Sequence, residues 1–315
     1  MATTAPPVLA PTVLACIVHG HAAPPDDDPR RIHVELPALR GPAVEIWESA
    51  TPVRCGDEDG IRYAENGAVL FGQISVPEAE FEPVEHSVYR IYTRLDGFLR
   101  RRGFPAWLRI WNFIAHINRG EADGERYRRF TLGRYQALAL EPDFERHLPA
   151  ATAIGTHTGG LLIYFLAART PGVQIENPRQ ISAFRYPRQY GPRSPSFSRA
   201  IYRPWADTPD LLVSGTASVV GHETLHAGDA PRQLAETLAN IDALLARAAQ
   251  VHGDTDHRRW QPEQVKLYLR EPALLEPIWR PLQQALGAGV PITALQGDIC
   301  RTDLCLEVET LYRRC

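Results

Sequence analysis

The chain has 315 residues, of which 44% are hydrophobic and 23% charged, a composition that excludes a wholly disordered chain and suits two domains of ordinary size. A formal net charge of -3 gives no support to general nucleic-acid binding. Five cysteines, with no CxxC pair, exclude a disulfide framework and make a thiolate zinc site unexpected. One of the 34 basic residues is a lysine, Lys266, and the others are arginines, a bias that genome composition explains most simply.

No targeting or membrane segment is predicted at the start of the chain. The first 23 residues contain no Lys or Arg, and Pro6, Pro7 and Pro11 interrupt their apolar run, so we do not expect a signal peptide. No run of about 18 apolar residues is present, so no membrane-spanning helix is expected either. These features predict a cytoplasmic protein.

The first half of the chain alternates predicted strands with one clear helix. A polar, proline-rich loop occupies residues 24–31. Apolar stretches predict strands at residues 31–36, 43–47, 69–75 and 107–117. Apolar residues spaced by three and four predict an amphipathic helix over residues 85–101, which Gly103 and Pro105 end. A charged, aromatic segment follows at residues 124–137.

The second half has a similar order. Composition predicts one buried strand over residues 152–166, and residues 177–205, rich in Pro and Arg, are predicted to be irregular. Short strands are predicted at residues 211–213 and 264–269, and a final strand at 304–311. A long helix is predicted after Pro231, with Asp229 as its N-cap, and a second helix over residues 274–286.

This order of elements predicts an α/β (α+β) fold with mixed sheets and helices packed on one face. We expect two related domains, over residues 1–150 and 151–315, although the repeat is not evident from sequence.

The segment at residues 222–226 matches HExxH, the zinc-binding pattern of many metalloproteases. On a helix, His222 and His226 could hold zinc while Glu223 activates water. The surrounding sequence predicts a strand end and a turn instead of a helix, and no third ligand has the usual spacing. We therefore expect no metal site and treat a zinc peptidase as a rival hypothesis.

Residues 177–205 contain six arginines and no acidic residue, and tyrosines lie among them. Such a segment favours an anionic ligand, either RNA or a compact molecule with more than one carboxylate. The alternative is an ordinary surface whose acidic partners lie elsewhere in the chain. The sequence alone does not separate these possibilities.

The last predicted strand places Glu307 and Glu309 on the face opposite Leu306 and Val308. If a second domain covers that face, a buried carboxyl would hold its proton more tightly and could act as an acid. The alternative is a pair of solvated glutamates on an outer strand.

Three segments together resemble the chorismatase family. They are NPRQISAFRYPRQYGPRSPSFSRA at residues 177–200, SGTASVVGHET at 214–224 and GDICR at 297–301. The resemblance covers about residues 85–312, and its nearest members are bacterial 3-hydroxybenzoate and 3-/4-hydroxybenzoate synthases. At a distance, the second half also resembles RidA/YjgF proteins, in the helix over residues 229–249 and the closing Leu-Glu-Val-Glu strand.

The resemblance implies two RidA/YjgF-like domains with the active site between them, chorismate as substrate and pyruvate as co-product. Glu307 matches the family's general acid, which protonates the methylene of the enolpyruvyl ether. Cys300 matches the cysteine of members that form hydroxybenzoate, so we expect 3-hydroxybenzoate, with 4-hydroxybenzoate as a conceivable co-product. Hydrolytic members yield a dihydrodiol. No cofactor, metal, nucleic acid or membrane is implied, and we expect a monomer.

One departure affects substrate binding. RidA proteins bind a carboxylate through an arginine about fifteen residues before the final-strand glutamate, but this chain has Pro291, Ile292 and Thr293 there. Other residues must hold the carboxylates of the substrate. The expected substrate-binding residues are Arg126, Arg134, Arg179, Tyr186, Arg188, Tyr190, Arg199, Thr216 and Ala217. A non-catalytic RidA-like binding protein is the remaining rival hypothesis.

Overall fold

The computed structural model describes residues 8–20, 27–254, 256–287 and 289–314. Part of the 24–31 loop and both ends of the 1–23 segment lie outside the described residues. The strands are β1 Val13–His19, β2 Arg31–Val34, β3 Ala38–Arg40, β4 Val44–Glu48, β5 Arg54–Glu58, β6 Ile61–Glu65, β7 Val69–Val76, β8 Ala106–Ala115, β9 Ala150–Thr156, β10 Leu161–Ala168, β11 Val173–Ile175, β12 Ala200–Arg203, β13 Asp210–Thr216, β14 Val219–Val220, β15 Glu223–Thr224, β16 Trp260–Leu269, β17 Ile292–Gln296, β18 Asp298–Ile299 and β19 Leu306–Arg314. The helices are α1 Glu78–Phe81, α2 Val84–Arg102, α3 Arg126–Leu138, α4 Ala230–His252 and α5 Leu275–Leu286.

Two seven-stranded mixed sheets dominate the fold. The first has the order β18-β9-β8-β10-β7-β6-β5 and the second β11-β12-β13-β19-β16-β17-β3, while β2-β1-β4 forms a smaller third sheet. In both large sheets one pair is parallel, β8 with β9 and β16 with β17. The predicted α/β class with mixed sheets is confirmed.

The two large sheets repeat one topology. Apart from the short α1, the β14–β15 hairpin and the short β18, the order β5-β6-β7-α2-β8-α3-β9-β10 of strands and α-helices recurs as β11-β12-β13-α4-β16-α5-β17-β19. The spatial order of the corresponding strands is the same in both sheets. The internal repeat, which the sequence left undecided, is therefore present in the strand order.

Each sheet ends on a strand from the other half of the chain. The short β18 pairs with β9 of the first sheet, and β3 pairs with β17 of the second. Strands β9 and β10 belong to the first sheet, so sheet membership changes after Ala168, whereas the predicted domain boundary lies at residue 150.

Helices cover one face of each large sheet, as predicted. On the first sheet, α2 contributes Val88, Leu95 and Leu99 to an apolar core, and on the second, α4 contributes Leu234, Ile241 and Leu244. Alternate residues of the strands point away from the helices. These helix-free faces of the two large sheets pack against each other and against the small sheet in a third core. The functional cavity opens beside this third core, where the faces of the two large sheets meet.

Helix ends follow local chemistry. The predicted N-cap Asp229 is confirmed, because its side chain accepts a hydrogen bond of 3.1 Å from the backbone nitrogen of Arg232. Helix α2 ends where predicted, at Gly103, whose φ of 77° suits glycine. Among the described residues, no helix combines the length and apolar character needed to span a membrane.

The predicted single strand over residues 152–166 is wrong. The structure divides it into β9 and β10, which are separated by a turn containing Gly159 and Gly160. Both glycines have positive φ, 96° and 74°, and a Cβ on Gly160 would lie 2.2 Å from the carbonyl oxygen of Val76. Only glycine suits this turn, so the apolar run reverses direction instead of continuing.

Candidate active site

A cavity of about 520 Å³ opens between the two large sheets. Both halves of the chain line it: α3 and β9 from the first half, and the residues after β13, the 180–199 segment and the 300–307 segment from the second. Its size falls within the usual range of small-molecule sites. Seven sequence-predicted residues lie in its lining: Arg134, Tyr186, Tyr190, Arg199, Ala217, Cys300 and Glu307.

Glu307 lies on β19 and is 5% exposed. Gly215 of β13 packs directly against its carboxyl group, and a Cβ there would fall 1.8 Å from Oε1. The same oxygen has no hydrogen-bond partner among the described residues. Burial, followed by the negative charge of Glu309, raises the pKa of Glu307 to about 8. Of the two possibilities that the sequence left open, the structure shows the covered face, because Glu307 and Glu309 are both buried, and the solvated alternative is wrong.

Glu309, two residues further along the same face, has the opposite environment. Its carboxylate forms ion pairs with Lys266 at 2.9 Å and Arg109 at 3.0 Å. Thr152 and Trp111 donate further hydrogen bonds of 2.7 Å and 2.8 Å. Burial opposes ionisation, but these partners outweigh it and lower the pKa of Glu309 to about 2. One carboxyl therefore keeps its proton beside another that has lost it.

Cys300 follows β18, which attaches its segment to the first sheet. Its side chain shares a hydrogen bond with Tyr127 of α3. Burial and, second, the charge of Glu307 raise the pKa of the Cys300 thiol to about 12. The group is therefore a neutral thiol near physiological pH, and thiolate chemistry is not available to it.

Two arginines in the lining of the cavity have buried hydrogen-bond donors without a partner among the described residues. Arg134 on α3 is 4% exposed, and its Nε and Nη2 have no partner among the described residues. Arg199 donates through Nη2 to the Tyr186 hydroxyl at 2.7 Å, and its Nε is likewise without a partner in the described part of the chain. Buried guanidinium groups of this kind need an acceptor, and a carboxylate fits the geometry.

Tyr186 and Tyr190 form an aromatic wall that holds a third arginine. The guanidinium carbon of Arg301 lies 4.0 Å from the ring centre of Tyr190 and 5.2 Å from that of Tyr186. Arg301 also donates to the backbone oxygen of His222 at 2.9 Å. The wall and its arginine add a planar, cationic surface to the cavity.

Four sequence-predicted binding residues lie outside the cavity lining. Arg126 forms ion pairs with Glu78 and Glu82, and Arg179 pairs with Glu236. Arg188, 66% exposed, pairs with Asp123. Thr216 is buried, and its hydroxyl donates to the backbone oxygen of Ser214 at 2.9 Å.

The prediction missed Tyr127 and Arg301, both in the lining. Arg301 directly follows Cys300 inside the GDICR segment, so the motif itself was the available signal. Tyr127 precedes Arg134 by seven residues, a separation that places both on one face of α3. Tyr127 was missed because the sequence analysis did not predict α3. The charged, aromatic composition of residues 124–137 does not by itself indicate a helix.

The HExxH residues do not lie on a helix. Glu223 belongs to β15, the second strand of a small hairpin, and His226 has a φ of 58°. His222 lies 3.2 Å from the Tyr190 hydroxyl, while His226 faces Glu236. Within the described ranges, no group of three or more His, Cys, Asp or Glu side chains is arranged to hold a metal ion.

These groups together can bind and protonate an anionic molecule. The open donors of Arg134 and Arg199 supply positive charge for carboxylates. Glu307 supplies a carboxylic acid that is still protonated near neutral pH, which is the requirement for general acid catalysis. Glu307 and Gly215 both belong to the cavity lining, and any side chain at position 215 would displace the carboxyl group of Glu307.

Comparison with known sequences finds relatives that share most of the chain. The family model described as chorismatase FkbO/Hyg5-like, N-terminal, matches residues 45–167. A chorismatase from Streptomyces rapamycinicus is 37% identical over 84% of this chain and 80% of its own length. A 3-hydroxybenzoate synthase from Streptomyces hygroscopicus is 36% identical over 85% and 81%.

Comparison with solved structures gives the same result. A chorismatase crystal structure matches with a TM-score of 0.83 and 33% identity, covering 95% of this chain and 92% of that protein. A Mycobacterium tuberculosis member of the YjgF/YER057c/UK114 family also matches, over 37% of this chain at a TM-score of 0.28. On the extent and identity of the matches to its relatives, this chain belongs to the chorismatase family.

Proposed function

We propose that the protein converts chorismate into 3-hydroxybenzoate and pyruvate. The observation that carries the proposal is the buried, protonated Glu307, which shares a cavity with the open donors of Arg134 and Arg199. Chorismate has two carboxylates and an enol ether, so it matches both features. Relatives named chorismatase and 3-hydroxybenzoate synthase support the same assignment.

Glu307 would transfer its proton to the methylene carbon of the enolpyruvyl group. The electron pair of the carbon–carbon double bond forms the new C–H bond, and the ether carbon becomes an oxocarbenium centre. A ring hydroxyl attacks that centre and loses its proton, which forms a cyclic ketal. The ring C–O bond of that hydroxyl oxygen then breaks, the oxygen becomes the carbonyl of pyruvate, and the ketal carbon releases the ether oxygen, which stays on the ring. Loss of the hydrogen from the ring carbon that carries the ether oxygen makes the ring aromatic, and the two released protons restore Glu307 and the phenol. Hydroxybenzoic acid and pyruvic acid together contain the atoms of chorismic acid, so the reaction needs no external oxidant, reductant or net water.

Cys300 would select the aromatic product. Its thiol is neutral and shares a hydrogen bond with Tyr127, so we assign it a guiding role during ring rearrangement instead of nucleophilic attack. Formation of 4-hydroxybenzoate as a second product is compatible with this role. If the cavity admitted water to the oxocarbenium centre instead, the product would be the dihydrodiol of the hydrolytic members.

The first test incubates purified protein with chorismate and follows pyruvate and aromatic acids by chromatography. We expect both products from the wild type. Glu307→Gln removes the proton donor while keeping the side-chain shape, so turnover should fall by about 10²-fold or more. Cys300→Ala should keep pyruvate release and shift the second product toward the dihydrodiol.

Thermal melting of each variant serves as the folding control. No pyruvate from the wild type would contradict the proposed function, and tight chorismate binding without turnover would favour a non-catalytic binding protein. An unchanged product ratio in Cys300→Ala would remove Cys300 from product selection. Stoichiometric zinc that is lost together with activity in His226→Ala would favour the peptidase.

Three broader assignments accompany this function. We propose a monomer, because residues of one chain complete the cavity lining described above. We propose a cytoplasmic location, which the free thiols of Cys55, Cys300 and Cys305 support. The two-domain division remains our interpretation, with the repeated strand order as its support.

A further inference from the structure

The single lysine of the chain lies in a buried charge network behind the cavity. Lys266 on β16 is 2% exposed and contacts Glu309 at 2.9 Å and Glu45 of β4 at 2.8 Å. Arg109 of β8, also 2% exposed, contacts the other oxygen of Glu309 at 3.0 Å. The network therefore joins the first large sheet, the second large sheet and the small sheet.

Charge balance within this network is complete without Glu307. The cations of Lys266 and Arg109 are matched by the carboxylates of Glu309 and Glu45. Buried charges are tolerated when they are paired, and an additional unpaired one is costly. Glu307, two residues from Glu309, is left without a cation from this network and keeps an oxygen that has no hydrogen bond to the described residues.

The network is also rigidly attached to the residues around Glu307. Thr152 donates to Glu309 at 2.7 Å and accepts from Arg109 at 2.5 Å. The same hydroxyl accepts from the backbone nitrogen of Gly215 at 3.1 Å, and Gly215 packs against the Glu307 carboxyl. A change of charge at Glu309 therefore acts within one connected cluster.

We infer that Glu309, paired with Lys266 and Arg109, is a positioning residue that keeps the catalytic proton on Glu307. This inference rests on the proposed role of Glu307 as the acid. The charges of Arg109 on β8 and Arg199 before β12 also act on Glu307 and lower its pKa. Glu307 in turn raises the pKa values of Tyr127 on α3 and Cys300 before β19. The lowered pKa of Glu309 and the raised pKa of Glu307 agree with the charge balance.

The decisive variant is Glu309→Gln. It leaves an excess positive charge beside Glu307, which should then ionise at lower pH. We expect the alkaline limb of the rate–pH profile to move down by about one to three pH units. A second change, Lys266→Met in the Glu309→Gln protein, restores neutrality and should move the limb back up. A purely structural role of Glu309 predicts lower rates at every pH and no such recovery.

A substrate-free measurement separates this inference from the proposed function. The infrared band of a protonated carboxyl, assigned to Glu307 by its loss in Glu307→Gln, should be present at pH 7 in the wild type. At pH 7 the band should lose half or more of its intensity in Glu309→Gln and recover in the double variant. A band that keeps its wild-type intensity at pH 7 in Glu309→Gln overturns the inference even if chorismate turnover is observed. Failure of the wild type to turn over chorismate overturns the proposed function without affecting the band.

Two further variants complete the experiment. Glu276→Gln removes an exposed carboxylate that pairs with Arg40, and we expect no shift of the limb or the band. Glu45→Gln removes the carboxylate at the far end of the network and should give a smaller shift in the same direction. If Glu309→Gln does not fold, Glu45→Gln alone tests the inference. An unchanged midpoint of the alkaline limb of its rate–pH profile contradicts the inference.

Discussion

Glu307 and Glu309 lie two residues apart on the same face of β19, and their surroundings give them different protonation states. Glu307 packs against Gly215 and forms no ion pair with the described residues, whereas Glu309 contacts two cations and several hydrogen-bond donors. The strand periodicity predicted the shared face. The partners could not be predicted, because Lys266 and Arg109 come from different sheets, and Arg109 lies 200 residues before Glu309 in the chain.

The raised pKa of Glu307 predicts a cost in stability that depends on pH. Its ordinary pKa is 4.5 and its folded value about 8, so the folded state favours the protonated form. The contribution of Glu307 to stability is fully present below pH 4.5 and is lost as pH rises through 8. We expect Glu307→Gln to gain stability relative to the wild type over that interval, by about 1.4 kcal/mol for each pH unit that separates the folded and unfolded pKa values.

Thermal or urea unfolding of the two proteins, measured at several pH values, checks this expectation. The difference in unfolding free energy should grow between pH 4.5 and 8 and then level off. A difference that stays constant across the interval would show that Glu307 titrates alike in the folded and unfolded chains.

Residue types alone do not tell which arginines of the 177–205 segment pair within the protein and which are available to a ligand. Arg179, Arg188 and Arg203 pair with acidic residues elsewhere in the chain, as the alternative to a binding site required. Arg199 instead contributes an open donor to the cavity. The alternative to a binding site therefore holds for these three arginines, and ligand binding stays a prediction for Arg199. Contacts with residues far away in the chain decide which interpretation applies to each arginine. Local sequence does not predict such contacts.

Among the elements, α2 and α4 were predictable because each has an apolar stripe and a local end signal. The short strands β3 and β18 were not, since their few residues gain stability only by pairing with distant strands.

The segment after β18 depends on Arg270. Its guanidinium pairs with Asp298 at 2.7 Å and donates to backbone oxygens of residues 299, 301 and 304.

Arg270→Lys tests whether these contacts of Arg270 hold the segment after β18 in place. A lysine ammonium cannot reproduce the planar fork that reaches several carbonyls at once, so the Cys300 segment should lose its fixed position. We expect about a tenfold fall in pyruvate release or a changed product ratio, with a melting temperature lowered by a few degrees. Arg280→Lys, at an exposed position of α5, is the matched control and should behave as the wild type. Equal product ratios and rates in both variants would show that Arg270 does not position the Cys300 segment.

For the whole molecule, the repeated strand order places the cavity between two similar sheets of one chain. Residues of both halves line it, so association with a second chain is not needed to assemble the described lining. We therefore expect light scattering to give the mass of a single chain and specific activity to stay constant on dilution. Activity that falls with dilution, or the mass of a dimer, would contradict the monomer.

The exchange of edge strands constrains how the protein is made. On the ribosome, strands β5 to β10 of the first sheet can pair before β18 exists, because β18 begins 130 residues after the end of β10, from Ala168 to Asp298. Cys300 and Glu307 follow within a few residues. A nascent chain that folds in this order has an open sheet edge at β9 from the synthesis of β9 until that of β18, and the proposed catalytic groups are synthesised directly after the strand that closes that edge.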